Sequence, residues 1–375
     1  MTPYITFMVN SVVFSNFTLF IVIHIHRIYI YLVGKVIGDT IHYKLEEINN
    51  ILGKQYALEH LVKERNWNNY EKDFSERIKT AMEELDPLVN EAVSAIHTAP
   101  QPGHSHLLSR EQRVEVLLIK QVVGKSNRMF SSMLVIFSLK SGIDVSYETI
   151  ERLYSDNEVI LAIHNLHVLI MKKRRANNSN ATGDGTGYGL TAKKNYESYA
   201  QRLKDLAKKS PENIRNKGKT KKNKKRLFAY SFNIMYLGTR LYIGMGSSMK
   251  YERQAYDRAM ELLHSINMEM DSIRLDRYYS FPSYMDDLGN TKVYIMPKKN
   301  STLNLLGKWK DAMREFVENT MHYMEEYHQR SNSESGFAAD KKMLGWNVAQ
   351  RRNDRIYSAL FCTGTWHNLF NMSGL

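Results

Sequence analysis

Apolar residues recur at helical spacing through the N-terminal half of the chain. From Ile41 to Ile96 the sequence is charged, with apolar residues three and four positions apart, which predicts helices. Ser109 and Gln112 then form a capping-box pattern ahead of another apolar helical face. We therefore predict an all-α region over residues 41–176, a candidate for DNA binding. Its shorter helices are predicted at Ser126–Lys140, Ser146–Ser155 and Asn157–Met171.

The middle of this helical region is compatible with a helix-turn-helix. In that interpretation, Ser146, Tyr147, Thr149 and Arg152 begin a helix that reads a DNA groove. Plain packing of short helices explains the same pattern, so both interpretations stay open.

Beyond residue 226 the pattern changes to strands that alternate with helices. Leu227–Met235 and Arg240–Met245 have strand composition around a turn with Gly238, which predicts an antiparallel hairpin. The alternation predicts a mixed α/β domain backed by helices. Further strands are predicted at Ser272–Leu275 and Lys292–Met296, and helices at Glu252–Ile266, Leu305–Tyr327, Ser333–Gly345 and Arg351–Leu369. The polar, glycine-rich run Ala176–Gly189 predicts a domain boundary, and its first part, Ala176–Ala181, is a poor strand.

The segment Ile5–Val33 is strongly apolar, but His24, His26 and Arg27 interrupt its middle. A charge there costs on the order of 3 kcal/mol in lipid, which argues against a membrane helix. No basic region precedes the segment, so a signal peptide fits badly. A buried hairpin or helix, or residues added by an upstream start codon, are the alternatives. Residues 1–40 are accordingly an apolar leader without an assigned role.

The net charge of +13 is concentrated in one stretch. Between Ala192 and Arg226 there are 14 Lys and Arg residues and three acidic residues, so this stretch alone contributes +11. Such a patch predicts a polyanionic partner, and a loop that contacts the DNA backbone is favoured over a merely solvated loop. The only cysteine, Cys362, excludes an internal disulfide and suits a reducing cytosol. The densest cations are Lys217, Lys219, Lys221, Lys222, Lys224, Lys225 and Arg226.

Three acidic patterns carry the candidate chemistry. Glycines flank Asp184, and neither a phosphate loop nor a dinucleotide fingerprint fits the surrounding residues. Asp276 follows a short predicted strand, where a carboxylate is either an active-site residue or a simple turn residue. The third pattern is Tyr327-x2-Arg330-x3-Glu334-x6-Lys341, whose last three members share one helical face. By itself this last pattern also fits a surface ion-pair ladder.

The third pattern matches the Tyr-Arg-Glu-Lys signature of DDE transposases from prokaryotic insertion sequences, with unchanged spacing. The resemblance covers about Asn177 to Asn371 and implies a ribonuclease H-like fold, an α/β domain with a mixed sheet and flanking helices. It predicts a catalytic domain over residues 177–349 with a basic insertion over 192–226. A C-terminal helix over 350–375 then packs on that domain. The residues that match the catalytic triad of the group are Asp184, Asp276 and Glu334.

The resemblance also implies the chemistry. The three carboxylates bind two Mg²⁺ ions, or Mn²⁺, and these suit hard oxygen ligands. Arg330 and Lys341 hold DNA phosphates, and Tyr327 positions the DNA strand or the helix. The expected activity is cleavage at transposon ends and transfer of the 3′-hydroxyl into target DNA, by a homodimer on the DNA in the cytoplasm, at the nucleoid. The alternative is a catalytically inactive, sequence-specific DNA-binding remnant.

Four other residues could bind a metal ion or a DNA base, but a structural role explains them better. His164 and His167 lie three apart on a predicted helix but have no evident partner ligands for a metal. Trp346 and Trp366 could stack on an extruded base, yet helices usually bury tryptophan. We therefore favour packing or a surface position for the two histidines and burial for the two tryptophans.

Overall fold

The computed structural model describes residues 67–97, 107–124, 126–142, 144–174, 180–191, 228–296 and 307–372, together with residues 50, 51 and 54. The apolar leader and the basic stretch 192–226, with all seven of its predicted DNA contacts, lie outside these residues. Within them, no helix is long and apolar enough to cross a membrane.

Between residues 67 and 174, in the described part of the chain, five helices precede the first strand. The second helix begins at the predicted capping box, because the Ser109 side chain accepts from the Gln112 N–H and the Gln112 side chain accepts from the Ser109 N–H. It ends at Gly124, whose φ of 66° is the left-handed conformation that glycine adopts easily. The five helices are α1 (Trp67–Ser94), α2 (Arg110–Val123), α3 (Asn127–Ser141), α4 (Tyr147–Leu153) and α5 (Asn157–Lys173).

A six-stranded mixed sheet follows. The strands are β1 (Asn180–Leu190), β2 (Phe228–Tyr236), β3 (Tyr242–Ser248), β4 (Ser272–Leu275), β5 (Lys292–Ile295) and β6 (Asn347–Val348). Their order is β3-β2-β1-β4-β5, and β6 pairs with the end of β1. The predicted hairpin is confirmed, since β2 and β3 are antiparallel, as are β1 and β2. The strands β4 and β6 run parallel to β1, and β5 runs parallel to β4.

The prediction of a poor strand at Ala176–Ala181 is wrong for the two of these residues that the structure describes, because Asn180 and Ala181 begin β1, the central strand of the sheet. Its glycines alternate with larger residues, so they all point to one face. A Cβ on Gly183 would lie 2.9 Å from Phe232 Cζ and 3.0 Å from Leu275 Cδ2. Side chains of β2 and β4 thus fill the space beside Gly183. In an ordinary central strand, an apolar side chain of the strand itself would fill that space.

Helices cover both faces of the sheet. They are α6 (Glu252–Ser265), α7 (Pro282–Asp286), α8 (Lys308–Glu318), α9 (Thr320–His328), α10 (Ser331–Leu344) and α11 (Asn353–Met372). On β3, Gly246 faces the backbone of α6 and its neighbour Met245 faces Gly364 of α11, so these two helices lie on opposite faces. The predicted single helix Leu305–Tyr327 is wrong, since α8 ends at Glu318 and α9 begins at Thr320.

The helix α11 joins the helical half to the sheet. It packs against α1, α2, α5 and β3. Trp366 of this helix is fully buried and donates from Nε1 to the Leu118 carbonyl at 2.8 Å. One hydrophobic core therefore runs from the N-terminal helices into the sheet. The predicted domain limits at 176 and 349 stay predictions.

A buried polar network fixes α10 against α11 and β3. Asp340 of α10 accepts from Nδ1 of His367 at 2.6 Å and from the Tyr242 hydroxyl at 2.8 Å. The Nε2 atom of His367 donates to the Arg240 carbonyl at 2.8 Å. Both ring nitrogens of His367 are thus within hydrogen-bonding distance of an oxygen atom. The network is a buried cluster of polar groups whose hydrogen bonds are made within the protein.

Candidate active site

The candidate site lies where β1 is unpaired along one edge. On that edge, β4 pairs with β1 only as far as Gly183, and β6 begins to pair at Gly189. The residues between them, 184–188, face an opening between the ends of two neighbouring strands. Such openings at the carboxyl ends of strands are where α/β sheets usually bind ligands.

Three acidic side chains from three separate elements meet at this opening. Asp184 lies in the middle of β1, Asp276 follows the last residue of β4, and Glu334 lies in the first turn of α10. The Nη1 atom of Arg330 is 3.6 Å from Asp184 Oδ2, 4.0 Å from Asp276 Oδ1 and 2.8 Å from Glu334 Oε1. Because all three oxygens lie within 4.0 Å of one nitrogen, no two of them are separated by more than twice that distance.

The local sequence explains how the carboxylates and Arg330 come together. Thr182, Asp184 and Thr186 share one face of β1, because strand residues two apart point the same way. Thr182 lies under the start of α10, where its hydroxyl is 2.6 Å from the Ser333 hydroxyl. Arg330 precedes α10 with helical backbone angles, so its side chain reaches Glu334 one turn later.

The charges at the opening are incompletely balanced. Three carboxylates face one guanidinium. Burial raises the pKa of Asp184 to about 6, because it outweighs the lowering of this pKa by the Gly185 N–H and by Arg330. In the described residues, no group of three or more His, Cys, Asp or Glu side chains has the spacing of a metal site. The guanidinium of Arg330 lies among the carboxylates in this conformation. The donors are hard oxygens with net negative charge, which suits a divalent cation once that guanidinium moves.

A fourth carboxylate approaches the site from the opposite face of β1. A Cβ on Gly185 would lie 1.9 Å from Glu252 Oε1 and 2.7 Å from the Tyr279 hydroxyl. The Tyr279 hydroxyl donates to the same Glu252 oxygen. Burial and the charges of Glu252 and Asp184 raise the pKa of Tyr279. The sequence analysis missed both residues. Glu252 lies in the first turn of α6, where an acidic residue is ordinarily explained by the helix dipole.

Lys341 lies further along α10 and contacts the same face of β1. Its Nζ donates to Thr186 Oγ1 at 2.5 Å and lies 5.2 Å from the ring centre of Tyr188 and 5.1 Å from that of Trp346. Burial lowers the pKa of Lys341. Within the described ranges it forms no ion pair, so its charge is available to an anion.

Tyr327 does not share a helix with the other three members of the pattern. Tyr327 is the last residue but one of α9, while Glu334 and Lys341 lie on α10. Its side chain is buried next to Arg330, and burial raises the pKa of its hydroxyl while Arg330 lowers it. This arrangement suits a residue that orients Arg330.

The remaining candidates have different surroundings. His164 and His167 contact the ring of Phe361, and burial lowers the pKa of both. Trp366 is buried as predicted, but the prediction for Trp346 is wrong, because 63% of its surface is exposed.

The candidate groove-reading residues lie at the start of α4. Ser146 caps this helix through the Thr149 N–H, and the Arg128 guanidinium lies over the Tyr147 ring at 4.8 Å. DNA readout by this helix stays a prediction.

Comparison with known proteins identifies the family. No family model matches the chain. The chain is 37% identical over 297 residues to the probable transposase for insertion sequence element ISA1214 of Archaeoglobus fulgidus. The match covers 79% of this chain and 85% of that relative. A likeness of that extent, over a mixed α/β fold with three converging carboxylates, shows that the chain belongs to the transposases of insertion sequence elements.

Proposed function

We propose that this chain is a metal-dependent DNA transposase of the DDE kind, which cleaves transposon ends and transfers the 3′-hydroxyl into target DNA. The observation that carries the proposal is the convergence of Asp184, Asp276 and Glu334, from three elements far apart in sequence, on one guanidinium nitrogen. A residue in a cleft whose pKa is shifted by burial and by a specific charge partner is a candidate active-site residue, and Asp184 meets this description.

The proposal includes a ribonuclease H-like catalytic domain, preceded by an all-α region. Its support is the mixed sheet with helices on both faces and the first acidic residue on the central strand. The three carboxylates would hold two Mg²⁺ or Mn²⁺ ions, and Asp184, desolvated beyond what Arg330 compensates, is a suitable ligand. When bound, such ions help to activate the attacking oxygen and to stabilise the leaving oxygen.

The residues of the chain itself would position the DNA. Arg330 would exchange its carboxylates for a phosphate, to which a guanidinium can donate two parallel hydrogen bonds. Lys341, without an ion pair in the described structure, would hold a neighbouring phosphate as a point charge. Tyr327 would keep Arg330 oriented between these two states. The basic stretch 192–226 would add sequence-independent contacts to the backbone.

The test replaces each carboxylate with its uncharged isostere. Asp184→Asn, Asp276→Asn and Glu334→Gln should each reduce Mg²⁺-dependent strand cleavage to background, while binding to DNA in a gel-shift assay survives. Glu325→Gln, an exposed carboxylate on α9, is the matched control and should cleave normally. Normal cleavage by the Asp276→Asn protein would contradict the proposal.

The alternative is an inactive, sequence-specific DNA-binding remnant. This alternative was supported in part by the poor strand expected before Asp184. It loses that support because β1 begins at Asn180 and contains Asp184. Binding by the unaltered chain with no cleavage in either Mg²⁺ or Mn²⁺ would favour the remnant. A homodimer on paired DNA ends, acting in the cytoplasm at the nucleoid, completes the proposal and follows from the family.

A further inference from the structure

Tyr279 contacts both of the segments that carry the candidate aspartates. Its backbone N–H donates to the Asp276 carbonyl at 2.9 Å, which closes the turn after β4. Its hydroxyl lies on the other side of β1, 2.7 Å from the place that a Cβ of Gly185 would take, next in the chain to Asp184. The segment from Asp276 to Tyr279 thus passes the open edge of β1 and links the backbones that carry the two carboxylates.

The Tyr279 side chain is held from two directions. Its ring is fully buried and packs edge-on against Phe232, the residue of β2 that pairs with Gly185, with 5.1 Å between the ring centres. Its hydroxyl donates to Oε1 of Glu252, in the first turn of α6. Aromatic packing fixes the ring, and the charged acceptor fixes the direction of the hydroxyl. The position of the phenol relative to β1 is therefore set by α6 and β2.

Gly185 allows this carboxylate–phenol pair to lie directly against β1. The Cβ of any other residue at this position would overlap the Glu252 carboxylate. The N–H of Gly185 donates to Oδ1 of Asp184 at 2.8 Å, so the same residue also orients the first candidate metal ligand. Glu252 and Tyr279 thus pack behind the backbone of Asp184, on the face of β1 opposite the three converging carboxylates.

We propose that Glu252 and Tyr279 are positioning residues that set the separation of the Asp184 and Asp276 carboxylates, and through it the affinity for the divalent cation. The inference rests on the proposed function and specifies which residues prepare the metal site. Metal ligands must be held to within about 0.5 Å of their productive geometry. Replacing the groups that orient such ligands typically weakens metal binding by about ten- to a hundredfold.

The test measures Mn²⁺ binding to the full chain without DNA, by calorimetric titration. Tyr279→Phe keeps the buried ring and removes only the hydroxyl, so it should weaken Mn²⁺ binding about tenfold. Tyr278→Phe is the matched control, because it removes the hydroxyl of the neighbouring tyrosine, which is 50% exposed. This control should bind Mn²⁺ as the unaltered chain does. Cooperative unfolding of each variant in urea verifies that it is folded.

Substitutions at Glu252 separate position from charge. Glu252→Gln loses the charge, but its amide oxygen still accepts from the Tyr279 hydroxyl, so Mn²⁺ affinity should stay within about threefold. Glu252→Ala loses the acceptor and should match the loss of Tyr279→Phe. In cleavage assays, Tyr279→Phe should need about tenfold more Mg²⁺ for half of its maximal rate, and it should reach the rate of the unaltered chain at saturating Mg²⁺.

Two results would overturn the inference. One is an Mn²⁺ affinity that Tyr279→Phe does not change, and the other is an equal loss for Glu252→Gln and Glu252→Ala, which would mean that charge acts and not position. Either result leaves the proposed function intact if the carboxylate variants fail to cleave. Conversely, normal cleavage by the carboxylate variants would remove the proposed chemistry, whereas the Mn²⁺ affinities, measured without DNA, would still decide the positioning role.

Discussion

Two carboxylates on α10 lie in opposite environments. The side chain of Asp340 is 4% exposed, and its oxygens accept from His367 and Tyr242. The side chain of Glu334 is 57% exposed, and its ion-pair partner is Arg330, which also faces two other carboxylates. The first acid is fully satisfied by the protein, and the second shares one cation with its neighbours.

The difference shows how one helix serves both the fold and the site. A buried charge with all its hydrogen bonds made is costly to break, because its partners are then left unpaired. An exposed acid with a shared partner contributes little to stability and is free to bind a ligand. Stability and ligand binding should therefore respond to different substitutions on α10.

The largest expected effect is on stability. Asp340→Ala leaves His367 and the Tyr242 hydroxyl without their acceptor, so it should lower the free energy of unfolding by about 3–5 kcal/mol. Glu334→Ala is the matched control on the same helix and should change it by less than about 0.5 kcal/mol. Urea-induced unfolding measures both. Equal midpoints for the two variants would break the comparison.

Asp184→Asn should make the protein more stable at neutral pH. Its carboxyl has a pKa raised from 3.8 to about 6 in the folded state. The folded state therefore binds this proton more tightly than the unfolded state does. The contribution of the Asp184 carboxyl to stability is full below pH 3.8 and is lost as the pH rises through about 6. The variant escapes that loss, which amounts to at most about 3 kcal/mol.

Unfolding in urea at several pH values tests this sign. The stability difference between Asp184→Asn and the unaltered chain should be near zero at about pH 3.5 and should level off above about pH 7. A difference that is largest in acid would show that the buried carboxyl is stabilised as the anion, contrary to the desolvation argument.

The smallest expected effect concerns metal binding without DNA. Arg330 lies where its guanidinium competes with a cation for the three carboxylates. Arg330→Gln should raise the affinity for Mn²⁺ about tenfold, or 1.4 kcal/mol, as measured by calorimetric titration. Arg352→Gln removes an exposed arginine paired with Asp354 and should leave the affinity unchanged. A weaker or unchanged affinity for the Arg330 variant would remove the idea of competition.

Sequence reasoning was accurate where the signal is local. The capping box at Ser109 and the hairpin of β2 and β3 depend on neighbouring residues, and both form as predicted. The spacing of Arg330, Glu334 and Lys341 also predicted a shared helical face. It failed where distant residues decide the structure, because it read the residues just before Asp184 as a poor strand and joined α8 to α9 across Asn319.

The sequence by itself determined which residue types stand at which intervals, and hence the family resemblance and the three candidate acidic residues. Only the tertiary structure decided that a glycine-rich segment becomes the central strand. The reason is that Phe232, Leu275 and Glu252, all distant in the chain, fill the space that its glycines leave open. The same packing brings Asp184 and Asp276 beside Arg330. Which acids meet depends on the strand order, and no local pattern encodes it.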